Sequence, residues 1–338
     1  KTMGMLGLDS RLQRDGLVDE GLDIRFRGGT IHLDLPDLTG ERVMIYGQQE
    51  VVKDLIAARV AADDPIYFEA EATRVSDLDT DRPRIHFRHA GDDHVLECDV
   101  IAACDGYHGI GRDSIPPGVL TTYEQTYDFA WLGVLSQSPP LPDMTYSNSD
   151  RGFALCSRRS MEVSRLYLQV PATVEFDEWP DERFWDELHQ RMFDDNQTEI
   201  VEGTIFQRDL AVLRAFVSMP MQYGRLFLAG DAAHIVPPAG AKGLNMAVAD
   251  VSVLCRALVE YFARRDRSLL DRYSADCAER VWQTIGFSMR LTNLLHRPDG
   301  QTPMARELQL AELDYIAGSR AAQTSIAEQY VRLNDVGH

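Results

Sequence analysis

Apolar positions recur at helical spacing between Gln48 and Ala62, at Val51, Val52, Leu55, Ile56 and Val60, and predict a packed helix there. Residues 66–78, 84–90 and 94–103 alternate instead, separated by Asp- and Gly-rich turns such as AGDD at 90–93. That pattern predicts a meander ending in a buried strand, which delivers Asp105 and Gly106 at its carboxyl end. From Tyr123 to about Phe216 short strands joined by polar turns dominate. One helical insert, Asp181 to Phe193, sets Phe184, Leu188 and Met192 on one face, with Asp181 as its cap. Leu226, Phe227 and Leu228 form a short apolar strand, and three helices are predicted after it, over 244–264, 268–295 and 303–330.

This order defines an α/β fold with a β-rich second domain and a helical C-terminal region. Residues 1–120, 121–225 and 226–338 are expected to be its parts, tightly packed, with a ligand at their junction. At 338 residues the chain is long for one core. Its 34 basic and 53 acidic residues give a net charge of −19, which argues against nucleic acid or an anionic membrane as partner. The five cysteines, odd in number and without ligand spacing, read as reduced thiols, mostly buried, in a cytoplasmic protein. No stretch approaches the roughly 18 apolar residues of a membrane span. Among nine histidines no HxH or HxxxH pair occurs, so no metal is expected, and the hydrolase motif GxSxG is absent.

The richest stretch is GDAAHIVPPAGAKGLN, residues 230–245, entered directly from the apolar strand. Gly230 allows close backbone approach, Asp231 offers an acceptor for polyol hydroxyls, and Pro237 and Pro238 stiffen the turn. The segment from Gly240 to Gly243 opens a helix whose first amides favour an electron-rich group. Gly-Asp after a strand is by itself commonly only a turn. The whole block resembles the second flavin-binding motif of the single-component FAD-dependent aromatic hydroxylases, and the likeness runs from about Asp15 to Val331.

The resemblance implies FAD and NAD(P)H as cofactors, O₂ as co-substrate, and 4-hydroxybenzoate or a related aromatic acid as substrate, in a homodimeric enzyme. It implies that Ser157, Arg159 and Tyr167 grip the substrate carboxylate, Arg158 being left to solvent on the other strand face. Tyr146 and Tyr330 would relay the phenolic proton, and the Pro238 carbonyl would face the substrate hydroxyl. Asp19 stands where the family has a histidine; an ionised carboxylate of ordinary pKa is expected to take that place. Gln48, Asp105, Arg165, Gly230, Asp231, Lys242, Leu244 and Asn245 match flavin-contacting positions, and His108 and Arg214 match nicotinamide-binding ones. Ala239 replaces an expected threonine, which removes one polar contact. Each of these residues alone would read as an ordinary surface or core side chain. The strand, GxGxxG turn and helix that open a dinucleotide fold find no match, since Gly106, Gly109 and Gly111 have another spacing. An N-terminally incomplete member is therefore expected, binding FAD weakly or not at all in isolation. A hydroxylase of another phenolic or aminobenzoic acid and a flavin-free aromatic-acid-binding fragment are the alternatives.

Overall fold

In the computed structural model, which describes residues 2–192 and 200–331, the largest element is an eight-stranded sheet. Its order is His234–Ile235, Thr204–Met219, Thr121–Gln137, Ser164–Pro171, Gly152–Arg158, Met144–Ser149, Gly21–Phe26 and Gly29–Asp34. Neighbours run antiparallel except Met144–Ser149 and Gly21–Phe26, which are parallel. The last two strands come from before residue 40, where the sequence pattern predicts no strand. Alternate positions in the sheet face opposite sides. One side, with Ala154, Cys156, Leu166 and Leu168, buries Phe184, Trp185 and Leu188 of the helix Asp181–Arg191. Asp181 does not cap that helix: Pro180 holds the cap position, and the Asp181 carboxylate instead accepts from Arg208. Phe193, the expected end, lies outside the described residues.

The other side carries Tyr146, Phe153, Leu155 and Trp131 and packs on the C-terminal helices through Leu291, Leu295, Leu313 and Ile326. Ser268–Leu295 is one uninterrupted helix, as the spacing predicts. The helix expected over 303–330 is two, Pro303–Gly318 and Arg320–Val331. Ser319 is extended, its hydroxyl accepts from the Ala322 amide at 3.3 Å, and Gln323 satisfies the freed carbonyls of Ile316 and Ala317.

The second core joins Leu226–Leu228 to the helices Gly243–Arg264 and Ser268–Leu295. The predicted meander divides. Glu71–Ser76, Arg84–His89 and Asp92–Glu97 form a separate three-stranded sheet, whereas Ile101–Ala103 pairs in parallel with Leu226–Leu228. The helix Gln48–Ala61 forms, but it is not packed: none of its residues is buried, and Val60 is 59% exposed. Its apolar spacing is regular, yet no described element covers that face. All five cysteines are free, with Cys156 and Cys277 buried but Cys104 and Cys255 exposed, contrary to the expectation of mostly buried thiols. No described helix is long and apolar enough to cross a membrane.

Candidate active site

Two turns meet at the ends of neighbouring parallel strands. Ala103 pairs with Leu228, so Cys104-Asp105-Gly106 and Ala229-Gly230-Asp231 leave the sheet side by side at its carboxyl edge, the usual ligand position of an open α/β sheet. Asp105 is committed locally: its carboxylate accepts from the Gly111 amide at 2.8 Å. A Cβ on Gly109 would lie 2.1 Å from Asp105 Cγ, which explains the glycine spacing without invoking a phosphate loop.

Gly230 takes φ +63°, and a Cβ there would approach Ala247 Cβ to 2.9 Å. Its amide donates to Asp250 at 3.0 Å, and the same carboxylate meets His234 Nε2 at 2.6 Å and Arg280 Nη2 at 2.7 Å. Burial alone would raise the Asp250 pKa, but His234, the Gly230 amide and Arg280 outweigh it and hold the carboxyl below its ordinary value. Sequence reasoning passed over this triad. The signal was there, since Asp250 shares a helical face with Met246, Val253 and Ala257, where a charge is out of place.

The turn Pro238–Gly240 leads to Lys242, only 4% exposed. Its ammonium donates to the Tyr330 carbonyl at 2.5 Å, and burial pushes its pKa down to about 8. Asp231, Pro238, Leu244 and Asn245 of the same stretch are exposed, and Gln48 is exposed at the start of its own helix.

The eight-stranded sheet supplies a row of facing residues: Ile24, Tyr146, Leu155, Tyr167, Gly133 and Asp209 are successive cross-strand partners. At one end the buried Tyr146 hydroxyl donates to the Ala239 carbonyl at 3.0 Å, one residue beyond the expected Pro238. Tyr330 stands beside it, its hydroxyl directed to Met144 Sδ at 3.8 Å; burial raises both pKa values, Tyr330 to about 12. Asp19 is fully buried behind them and pairs with Arg158 at 2.7 Å. Two expectations are corrected here. Arg158 does not point into solvent, and the Asp19 pKa is raised, by burial first and against the pull of Arg158.

At the other end Ser157 donates to the Arg165 carbonyl at 3.0 Å, and Arg165 lies over Tyr167 with its guanidinium carbon 5.1 Å from the ring centroid. Arg159 follows the strand Gly152–Arg158 and is exposed, yet surrounding protein still pushes its pKa down. Burial raises the Tyr167 pKa, with Arg165 and Arg159 opposing it. Behind Tyr167, Trp131 packs at 4.8 Å between ring centroids and donates its indole N–H to His296 at 2.6 Å. His108 and Arg214, far apart in the chain, both meet Tyr107: His108 edge-on at 4.9 Å and Arg214 over the ring at 4.7 Å. Away from this region Asp23, His32 and Asp143 bring ligand atoms within 4.8 Å of one another on an open sheet edge, a group that sequence spacing did not reveal.

A glycine cradle at Gly230, an exposed acceptor at Asp231 and a buried cation with no carboxylate partner among the described residues suit a flat, electron-rich group with a polyol tail. Comparison with known proteins places the chain in a family that binds a cofactor of this kind. Residues 1–288 match the family described as FAD binding domain. The p-hydroxybenzoate hydroxylase of Acinetobacter baylyi (strain ATCC 33305 / BD413 / ADP1) is 44% identical over 329 residues, 97% of this chain and 81% of that protein. A 4-methyl-5-nitrocatechol 5-monooxygenase from Burkholderia sp is 34% identical over 137 residues, 39% of this chain and 25% of that one. Among solved structures, p-nitrophenol 4-monooxygenase PnpA from Pseudomonas putida DLL-E4 superposes with a TM-score of 0.81 at 17% identity, over 98% of this chain and 86% of the other. The fold is that of the FAD-dependent aromatic monooxygenases. Within that class the chain belongs to the p-hydroxybenzoate hydroxylase family and is a flavin-dependent aromatic hydroxylase.

Proposed function

We propose that this chain carries the hydroxylation of 4-hydroxybenzoate to 3,4-dihydroxybenzoate. One O₂ and one NAD(P)H are consumed with a proton; one oxygen atom enters the ring and the other leaves as water. FAD supplies the redox chemistry, which no side chain can provide. The observation that carries the reading is a single sheet row in which the buried Tyr146 is faced by Tyr330 of the last helix and, further along, two arginines gather around Tyr167. A phenolic acid has these same two ends.

In this reading Arg159, with Ser157 and Tyr167, holds the substrate carboxylate and so fixes the ring. Tyr146 accepts the phenolic proton's hydrogen bond and passes charge toward Tyr330, which enriches the ring carbon next to the hydroxyl. Both tyrosines stay protonated at neutral pH because burial raises their pKa values, so they act as hydrogen-bonding relays and not as standing anions. Lys242, Asp231, Gly230, Arg165, Leu244, Asn245, Gln48 and Asp105 border the flavin. Arg214 and His108 present Tyr107 to the nicotinamide nucleotide. Free cysteines fit a reducing cytoplasm. The exposed Met304, Leu308 and Tyr315 on one helix supply an apolar face for a homodimer.

A panel of benzoates tests the substrate. Stimulated NAD(P)H oxidation with one 3,4-dihydroxybenzoate formed per nucleotide supports the reading, and faster turnover of an amino- or dihydroxybenzoate would replace it. Ala239 favours keeping that second outcome in view, because it lines the phenol end without a side-chain hydroxyl.

A further inference from the structure

No motif pointed to Asp209, yet it stands in the corner where the carboxylate would be held. It closes the row after Tyr167 and Gly133. A Cβ on Gly133 would lie 2.3 Å from Asp209 Oδ1 and 2.8 Å from Tyr167 Cε1, so the carboxylate and the ring come together in the notch that the glycine leaves. The other oxygen, Asp209 Oδ2, is paired with Arg165 Nη2. Asp209 Oδ1 and Arg165 Nε are buried with no hydrogen-bond partner among the described residues, so the pair keeps one unused acceptor and one unused donor beside Tyr167. Asp209 and Arg165 also both act on Arg159, one raising and one lowering its pKa.

The charges in this corner add simply. Arg159 and Arg165 contribute two positive charges and Asp209 one negative, which leaves one positive charge for a ligand. Resting on the phenolic-acid reading above, we propose that Asp209 is a specificity-determining counter-anion: it occupies Arg165 and leaves the corner able to neutralise one aromatic carboxylate but not two. An aromatic monoacid is then accepted, while a vicinal diacid meets a carboxylate already in place.

The test uses the FAD-loaded full chain and isothermal titration with 4-hydroxybenzoate and with 4-hydroxyphthalate, whose second carboxylate adjoins the first. Wild type is expected to favour the monoacid. Asp209→Asn should shift the ratio of the two dissociation constants toward the diacid by about tenfold, as loss of one neighbouring like charge implies, and Asp209→Glu should restore it. A merely structural ion pair would weaken both acids alike, so an unchanged ratio overturns the proposal. Should Asp209→Asn not fold, Asp209→Ser reads the same ratio; failure of both to fold assigns the residue to structure alone and also overturns it. Wild type that binds neither acid sinks the phenolic-acid reading itself, and the proposal with it.

Discussion

The hydroxyl of Tyr146 donates to the backbone carbonyl of Ala239 at 3.0 Å, so one buried oxygen ties the sheet to the motif turn, with Tyr330 of the last helix in electrostatic contact beside it. Tyr146→Phe removes that link. Turnover to hydroxylated product should fall about 100-fold or more, the low end of the usual contribution of a proton-transfer group. Substrate affinity should change by less than about threefold, since the proposed carboxylate grip is untouched. Rapid-quench product analysis beside equilibrium binding checks both; equal losses in the two would contradict the relay role.

Gly230 and Asp250 form one unit. Gly230→Ala must push against Ala247 from a left-handed backbone, and retained FAD per chain should drop measurably. Asp250→Asn leaves Arg280 buried beside a neutral group and should cost about 3–5 kcal/mol of stability by urea unfolding. The wild-type carboxyl is held below its ordinary 3.8, so its stabilising contribution is complete above that value and disappears as pH falls through the folded pKa. The acid limb of the stability curve should therefore be shallower in Asp250→Asn.

Lys242 behaves in the opposite sense. Its folded pKa of about 8 lies below the ordinary 10.5, so burying the ammonium costs stability in full below pH 8, and the cost fades between pH 8 and 10.5. Lys242→Met should stabilise the flavin-free chain at pH 7 by about 2–3 kcal/mol, less whatever the bond to the Tyr330 carbonyl contributes. That gain should vanish near pH 10.5, measured by denaturant melts at both values. Equal stability at pH 7 would show that the ammonium is well solvated.

His296 is held neutral. Its Nδ1 donates to the Thr292 carbonyl at 2.8 Å, its Nε2 accepts from Trp131, and burial depresses its pKa to about 3. Stability is complete above the ordinary 6.5 and declines from there toward pH 3. Between pH 6.5 and 5 the decline should reach about 2 kcal/mol. His296→Phe keeps the ring stack on Phe153 but removes the titrating group. Its stability should be lower at pH 7, because the Trp131 N–H loses its partner, yet vary less between pH 7 and 5 than that of wild type.

Local pattern was enough for the helices Gly243–Arg264 and Ser268–Leu295 and for the buried face of Asp181–Arg191, because each is long or strongly amphipathic. It was not enough where pairing decides. The strands Gly21–Phe26 and Gly29–Asp34 are short and follow a turn-rich opening, and only their partner at Met144–Ser149 makes them strands of the large sheet. The helix Gln48–Ala61 shows the reverse, since regular apolar spacing does not say what covers it. In the site, residues fixed by a contiguous motif were legible. Asp250, Asp209 and Gly133 were not, because their importance lies in neighbours more than a dozen residues away.

The parallel pairing of Leu22 with Met144 spans 122 residues, 144 minus 22. On a ribosome adding about 5–20 residues per second, the strand Gly21–Phe26 would wait some 6–24 s for the neighbour on its inner edge. Gly29–Asp34 can cover its outer edge at once, as a local hairpin. Until Met144–Ser149 emerges, the inner edge offers unpaired amides and the buried side chains Leu22 and Ile24 to any passing strand. Yield in cells should accordingly depend on synthesis speed and chaperone supply more than the stability of the finished protein would suggest.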